Sequence, residues 1–209
     1  MSMRGINYCI IDQTDPNEEF ECEGDVLETY FGTSNGINGR RSLSLIRKKV
    51  NVERSLRNWK ARPFNILHLA AHGNYIKRNT RKMDSSPIYR GQSAVEIFRP
   101  DTLVRAKVEC DVFMSTCCLS FNEYFLEVIE GYGGVRNFIA PKGEPFLGDT
   151  IVFALMFYNG LIYRVRAGQR EIKDKDILEA FRKANQAYIV YGGEGSFRLY
   201  NSERGRVYK

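Results

Sequence analysis

Short apolar runs alternate with helical patterns along this chain, and that alternation constrains its fold more than any other feature of the sequence. The apolar runs lie at residues 6–12, 43–46, 64–71, 111–116 and 136–140. The helical patterns lie at residues 24–31, 51–60, 101–106, 121–130, 148–163 and 174–190. Runs such as FNILHLAA are typical of strands that are buried on both faces of a parallel sheet. We therefore predict an α/β fold with a mostly parallel central sheet and helices on both faces.

The segments between these elements carry weaker signals. Residues 32–39 and 73–86 are predicted to be loops, because Gly, Asn, Ser and charged residues interrupt both periodicities there. Residues 87–90 are predicted to form a short strand, and residues 93–98 a helical turn. The tail from Gly192 is first rich in glycine and then basic, and it receives no assignment.

Length and composition predict a single domain over residues 1–209 that needs no disulfide bonds. A chain of 209 residues can bury enough apolar surface to form a stable core. The cysteines are odd in number, which favours reduced thiols in the cytoplasm. They are Cys9, Cys22, Cys110, Cys117 and Cys118. The amino-terminal residues lack the apolar core of a signal peptide, and no run is long enough for a transmembrane helix, so we expect no membrane association.

The net charge of +6 could steer an acidic partner, but the pattern of charges does not favour nucleic acid. The basic residues fall into short groups at 40–41, 47–49 and 77–82 rather than one tract. The aromatic residues at 157–163 fit a helix core better than a platform for stacking bases. We therefore expect solvated basic faces and no nucleic-acid partner.

Both histidines of the chain lie in one segment, HLAAH, at residues 68–72. His68 lies inside the apolar run and is predicted to be a satisfied core residue. His72 ends the strand at the mouth of the polar loop, which favours a functional role. Cys117 follows the run 111–116, so two parallel strands would bring it to the same edge of the sheet as His72.

An imidazole and a thiol at one sheet edge predict nucleophilic catalysis. His72 can take the proton of Cys117 and return it to a leaving amine. Cys117 begins a strand-to-helix turn, and the amino terminus of helix 121–130 is expected to lower the pKa of its thiol. The N–H groups of Gly73 and Cys117 can form an oxyanion hole, because Gly73 has no side chain to keep a substrate carbonyl away.

The segments NILHLAAHG and DVFMSTCCLS resemble the caspase-like CHAT peptidases, which are relatives of caspases and separases in clan CD. In that family an apolar strand ends in His-Gly, and a later apolar strand ends in Ser-Ala-Cys. The resemblance covers residues 60–190 and implies a caspase-like three-layer sandwich. It implies that His72 is the catalytic histidine, Gly73 the oxyanion glycine and Cys117 the nucleophile of an endopeptidase that acts on a protein or peptide. It also implies a role in bacterial stress or defence. The basic loop predicted at residues 73–86 could become ordered when a partner binds, which favours an activating protein partner.

Several residues depart from the family pattern and leave alternatives open. Thr116 stands where the family usually has Ala, and Cys118 follows Cys117, so Cys118 is an alternative nucleophile. Pro-Lys at residues 141–142 stands where the family often has Trp-Asp near an acidic substrate pocket. Glu144 and Asp149 are the candidate substrate-binding acids, and a loop or helix-cap role is their alternative.

A catalytically silent caspase-like scaffold or interaction module is the alternative function for the whole chain. No cofactor or metal is expected, because the sequence has neither a glycine-rich phosphate loop nor the ligand spacing of a zinc site. The resemblance also implies that the His–Cys pair needs no third catalytic side chain, since a backbone carbonyl can orient the imidazole.

Overall fold

The computed structural model describes residues 7–12, 23–38, 42–46, 52–58, 64–77, 83–90, 95–164, 171–190, 193 and 197–209. The strands in these ranges are β1 (Asn7–Asp12), β2 (Ser42–Ile46), β3 (Phe64–Ala70), β4 (His72–Lys77), β5 (Met83–Arg90), β6 (Val95–Ile97), β7 (Cys110–Ser115), β8 (Val135–Pro141), β9 (Phe197–Asn201) and β10 (Arg206–Tyr208). The helices are α1 (Glu23–Asn38), α2 (Val52–Asn58), α3 (Asp101–Arg105), α4 (Glu123–Tyr132), α5 (Leu147–Ile162) and α6 (Asp174–Val190).

A central sheet organises the described part of the chain, with the strand order β10-β9-β8-β7-β3-β1-β2. The strands from β8 to β2 are parallel to their neighbours, whereas β9 and β10 run antiparallel at one side. The carboxyl ends of the parallel strands therefore share one edge, where the loops that follow them meet. The predicted mostly parallel α/β sheet is confirmed.

Two hydrophobic cores lie on opposite faces of this sheet, because successive side chains of a strand point in opposite directions. On β1, Tyr8 and Ile10 belong to the first core, while Cys9 and Ile11 belong to the second. Helices α1, α5 and α6 cover the first core, and α2, α3 and α4 cover the second. The result is three layers, as predicted. Although α5 is strongly apolar, no helix in the described ranges is both long and apolar enough to span a membrane.

The predicted loop at 32–39 is wrong, because α1 continues without a break to Asn38. Gly, Asn and Ser have low helix propensity, which made a loop the better prediction from sequence alone. The helix packs against β1, β2 and α5. Tertiary contacts of this kind routinely override local propensity.

The predicted loop at 73–86 is also wrong for residues 73–77 and 83–86, while residues 78–82 lie outside the described ranges. β4 and β5 pair antiparallel, and β6 adds a third strand to form a second, smaller sheet. The residues 95–97 are thus a strand where a helical turn was predicted. Polar residues hide a strand from sequence analysis, because strand propensity depends on the neighbours in the sheet.

The basic tail, which received no assignment, extends the central sheet. β9 pairs antiparallel with β8, and Asn201 lies opposite Asn137. The side-chain amide of Asn201 donates to the Asn137 side-chain oxygen at 2.9 Å. Phe197 and Leu199 of β9 contribute to the first core, so this short strand is part of the packed sheet.

Polar side chains at the amino edge of the sheet are used for structure. Asp111, at the start of β7, accepts hydrogen bonds from the Asn65 amide and from the Ile172 N–H, both at 2.9 Å. The guanidinium of Arg136 lies 3.2 Å from the same carboxylate. These contacts attach the segment before α6 to the sheet.

Gly134 joins α4 to β8 in a place where a side chain does not fit. Helix α4 ends at Tyr132 and is capped by Gly133, whose φ of 70° is left-handed and favours glycine. A Cβ atom on Gly134 would lie 2.5 Å from the Val108 carbonyl oxygen. That oxygen belongs to the backbone, so it cannot move aside as a flexible side chain would.

Replacing Gly134→Ala is expected to lower the free energy of unfolding by about 1–3 kcal/mol, because the added methyl group overlaps a backbone oxygen. Gly131→Ala is the matched control, since nothing lies within 4 Å of a Cβ atom there. Gly131 is in the last turn of α4, and alanine is expected to be neutral or to stabilise by up to about 1 kcal/mol. Urea denaturation measures both, and equal effects would contradict the packing at Gly134.

Candidate active site

The carboxyl ends of β3 and β7 lie side by side in the central sheet. Leu69 on β3 is in register with Ser115 on β7. The N–H of Thr116 extends this pairing by donating to the Leu69 carbonyl at 3.1 Å. The backbone therefore brings the segments HLAA and STCC to one edge of the sheet, as the sequence analysis predicted for the two strand ends.

Cys117 lies at this junction with its side chain fully enclosed, at 0% exposure. Its thiol points toward the Leu69 carbonyl oxygen, at a sulfur-to-oxygen distance of 3.9 Å. Leu69 lies three residues before His72, so the sulfur faces the backbone of the segment that leads to the candidate base.

His72 is the first residue of β4, and not the end of the preceding strand as the sequence analysis placed it. β3 already ends at Ala70, so the histidine starts the second sheet. Gly73 follows in β4, opposite Pro87. The side chain of His72 lies outside the described residues. Its role as base, and that of Gly73 as oxyanion donor, stay predictions.

Residues 117–120, called here the Cys117 turn, are held by several hydrogen bonds. The Ser120 hydroxyl donates to the Cys117 carbonyl at 2.7 Å, and the Leu119 N–H donates to the Gly143 carbonyl at 2.9 Å. Leu119 has a left-handed φ of 57°, which is unfavourable for a residue with a side chain. Such strain persists only where the surroundings hold it in place, and it is common at functional sites.

Burial raises the pKa of the Cys117 thiol to about 12. A hydrogen bond with Ser115 opposes this rise in pKa, and the nearby carboxylate of Glu23 adds to it. The expected lowering of the pKa by a helix terminus is wrong for this structure. Helix α4 begins only at Glu123, and loss of solvation is the larger effect. The enclosed thiol is therefore protonated at neutral pH.

Cys118 differs from its neighbour in both exposure and direction. It is partly exposed, whereas Cys117 packs within the second core. The Cys118 sulfur lies 4.0 Å from the carbonyl oxygen of Pro145, in the loop that follows β8. Because its side chain is partly exposed, Cys118 remains the alternative nucleophile.

The loop at residues 142–146 is attached to the Cys117 turn through the backbone. In addition to the bond from Leu119, the Phe121 N–H donates to the carbonyl of Pro141 at 2.9 Å. Glu144 is exposed within this loop, and Asp149 is half-buried in the first turn of α5. These attachments place the candidate acid Glu144 in a segment that borders the Cys117 turn, while Asp149 lies further along the chain.

His68 is a satisfied core residue, as predicted. Its Nδ1 lies 2.7 Å from the Tyr158 hydroxyl, and its Nε2 lies 3.0 Å from one carboxylate oxygen of Glu23. The other oxygen of Glu23 accepts a hydrogen bond from the Thr116 hydroxyl at 2.9 Å. Glu23 itself is only 1% exposed.

The sequence analysis missed Glu23 and Tyr158 as members of this cluster. Acidic residues in the first turn of a helix are usually solvated partners of the helix dipole, so Glu23 carried no distinctive signal. Tyr158 looked like one more aromatic residue of an apolar helix. Only the packing of α1 and α5 against the sheet brings both of them to His68.

One solved structure that matches this chain is an X-ray structure of a secreted C11 cysteine protease from Bacteroides thetaiotaomicron in complex with an irreversible peptide inhibitor. The match has a TM-score of 0.60 and 10% sequence identity, and it covers 95% of this chain and 67% of that chain. No family model and no curated protein match the sequence. At this identity the likeness shows the fold alone, which is caspase-like.

Iodoacetamide is predicted to modify Cys118 before Cys117 in the folded protein at pH 8. Cys117 is enclosed and its pKa is raised to about 12, so little of it is thiolate at that pH. Its modification rate is expected to rise about tenfold per pH unit up to pH 10, because the thiolate fraction grows in that way below the pKa. Tandem mass spectrometry separates the two sites, and urea-unfolded protein is the control. A Cys117 rate that is already constant near pH 8 would show an activated thiolate instead.

Proposed function

We propose that this chain is a cysteine endopeptidase in which His72 is the general base and Cys117 the nucleophile. One observation carries the proposal: the carboxyl ends of β3 and β7 are paired, and the Cys117 sulfur lies 3.9 Å from the carbonyl oxygen of Leu69, three residues before His72. The fold adds support, because the C11 protease of similar fold was captured with an irreversible peptide inhibitor. Membership of the CHAT family remains part of the proposal.

The proposed reaction proceeds through an acyl-enzyme. His72 takes the proton of the thiol as the sulfur of Cys117 attacks the peptide carbonyl carbon and forms a C–S bond. The C–N bond then breaks, and the proton on His72 passes to the leaving amine. Water, deprotonated by His72, attacks the thioester, releases the carboxylic acid product and restores the thiol.

The proposed oxyanion hole uses the N–H groups of Gly73 and Cys117. The Cys117 N–H now faces the Ser115 hydroxyl at 3.4 Å, which is a long hydrogen bond. Because this hydrogen bond is long, the Cys117 N–H can exchange it for one to a developing oxyanion at little cost in free energy. A donor of this kind is commonly worth about 10²–10³-fold in rate.

We propose that the structure represents a resting form. A peptide carbonyl cannot reach a sulfur that has no exposed surface, and an enclosed thiol with a pKa near 12 is a poor nucleophile. Catalysis therefore requires a rearrangement that opens the site, and an activating protein partner would supply it. A function in bacterial stress or defence is consistent with such control.

We propose Glu144 as the acid that recognises a basic substrate side chain, with Asp149 as the second candidate. The support is positional, because Glu144 is exposed in a loop that is hydrogen-bonded to the Cys117 turn. A carboxylate there would pair with Lys or Arg in the peptide.

Cys117→Ala and His72→Ala are each predicted to abolish cleavage of a fluorogenic peptide library, because each removes one partner of the proton transfer. Cys118→Ala is the matched control and is expected to retain activity within about threefold. Product formation is followed with the full chain, with and without proteins co-purified from the native host. Loss of activity in Cys118→Ala with full activity in Cys117→Ala would move the nucleophile by one residue and contradict the assignment.

A catalytically silent scaffold is the second candidate, and the enclosed thiol is the observation that favours it. A scaffold would leave both cysteines unlabelled by a peptidyl electrophile under all activating conditions. A peptidase would be labelled at one cysteine, and prior treatment with that electrophile would block cleavage.

A further inference from the structure

We propose that Glu23 is a positioning residue for the Cys117 nucleophile, that it acts through the hydroxyl of Thr116, and that His68 holds the Glu23 carboxylate in place. The inference rests on the proposed peptidase function. It assigns a role in that function to the buried polar cluster formed by Glu23, His68, Thr116 and Tyr158, called here the Glu23 cluster.

The Glu23 cluster joins four elements in one unbroken line of hydrogen bonds. Tyr158 on α5 bonds to His68 on β3, His68 bonds to Glu23 at the start of α1, and Glu23 bonds to Thr116 after β7. Each donor-to-acceptor distance lies between 2.7 and 3.0 Å. Every one of these four side chains is almost entirely buried. The line therefore connects the first core to the residue immediately before Cys117.

The position of Glu23 is fixed by close packing at the start of α1. A Cβ atom on Gly24 would lie 2.2 Å from a carboxylate oxygen and 2.8 Å from the Cβ atom of Asp12, the last residue of β1. The glycine therefore lets the start of α1 lie close against the end of β1. A buried carboxylate is unfavourable unless it is hydrogen-bonded, and both oxygens of Glu23 are.

The bond to Glu23 sets the direction of the Thr116 side chain. The Thr116 hydroxyl has one proton and two nearby acceptors, Glu23 at 2.9 Å and the Leu69 carbonyl at 3.2 Å. The carboxylate is the closer acceptor of the two, and hydrogen bonds to ionised groups are the stronger ones. The same Leu69 carbonyl accepts the Thr116 N–H and faces the Cys117 thiol. Moving the Thr116 side chain would therefore move the backbone that presents the sulfur.

Electrostatics argue that Glu23 positions the thiol and does not activate it. A negative charge near a thiol disfavours the thiolate, and Glu23 raises the pKa of Cys117. Any benefit to catalysis must then come from geometry. Misplacement of a reacting group by about 1 Å can cost about 10²-fold in rate.

Thr116→Val tests the proposal because it keeps the shape of the side chain and removes the hydroxyl. It is expected to lower kinact for a peptidyl chloromethyl ketone about 10- to 100-fold, with KI unchanged within about twofold. Thr116→Ser keeps the hydroxyl and is expected to restore kinact to within about threefold of wild type. Thr102→Val is the matched control: it also removes a buried hydroxyl, but in α3, and kinact should not change.

Glu23→Gln is a second variant that tests the proposal independently by the same kinact measurement. It keeps the size of the side chain, and its kinact is expected to fall by a factor similar to that of Thr116→Val. The kinact of the double variant should be no lower than that of Thr116→Val alone, because both substitutions disrupt the same hydrogen bond between Thr116 and Glu23. Urea denaturation is run in parallel, since a purely structural cluster would change stability and leave kinact unaltered.

The outcomes separate the two levels of the proposal. Wild-type kinact in folded Thr116→Val overturns the positioning role and leaves the peptidase assignment intact. A wild-type protein that the inhibitor never labels at Cys117, with or without the co-purified proteins, overturns both. Where Thr116→Val does not fold, folded Glu23→Gln decides: a wild-type kinact overturns the role, and a loss of at least about tenfold with unchanged KI supports it.

Discussion

The pairing of β3 with β7 is the interaction on which the candidate site depends. Its register places Leu69 beside Ser115, and the next residue of each strand continues toward the same edge. Alternation then sends Thr116 toward the first core and Cys117 into the second. A slip of one residue would exchange these directions and take the sulfur away from the Leu69 carbonyl.

The two faces of the sheet divide the chemistry of this edge between them. On the first face, a buried carboxylate is held by an imidazole and a threonine hydroxyl, and a phenol is hydrogen-bonded to the imidazole in turn. On the second face, an apolar core encloses the thiol and raises its pKa. The first arrangement favours precise placement and the second favours an unreactive resting thiol. A partner-activated peptidase would need both properties.

The sequence predicts the parts of the fold whose signal is local. The apolar strands and the helices of the three-layer sandwich follow from periodicity. The meeting of HLAAH and STCC follows because neighbouring parallel strands end at the same edge of the sheet. The antiparallel pair β4 and β5 and the strands of the tail were not predictable, because these strands are short or rich in polar residues and their order comes from pairing. The Glu23 cluster was invisible for a related reason: its members are far apart in the chain and only the sheet brings them together.

The expectation about the thiol failed for a physical reason that sequence cannot supply. A helix terminus after a cysteine suggests a lowered pKa, but the size of that effect depends on distance and solvation. Here the helix starts at Glu123, several residues after the sulfur, and the thiol has no contact with solvent. Motif and order therefore identify the candidate nucleophile, while its reactivity depends on burial.

The central claim is that the imidazole of His72 and the sulfur of Cys117 meet at the carboxyl edge of the sheet. A crystal structure of the chain with a peptidyl ketone bound measures the distance between them directly. We predict a nitrogen-to-sulfur distance of about 3–4 Å, with the inhibitor carbon attached to Cys117. A separation beyond about 8 Å, or an inhibitor attached to Cys118, would contradict the account.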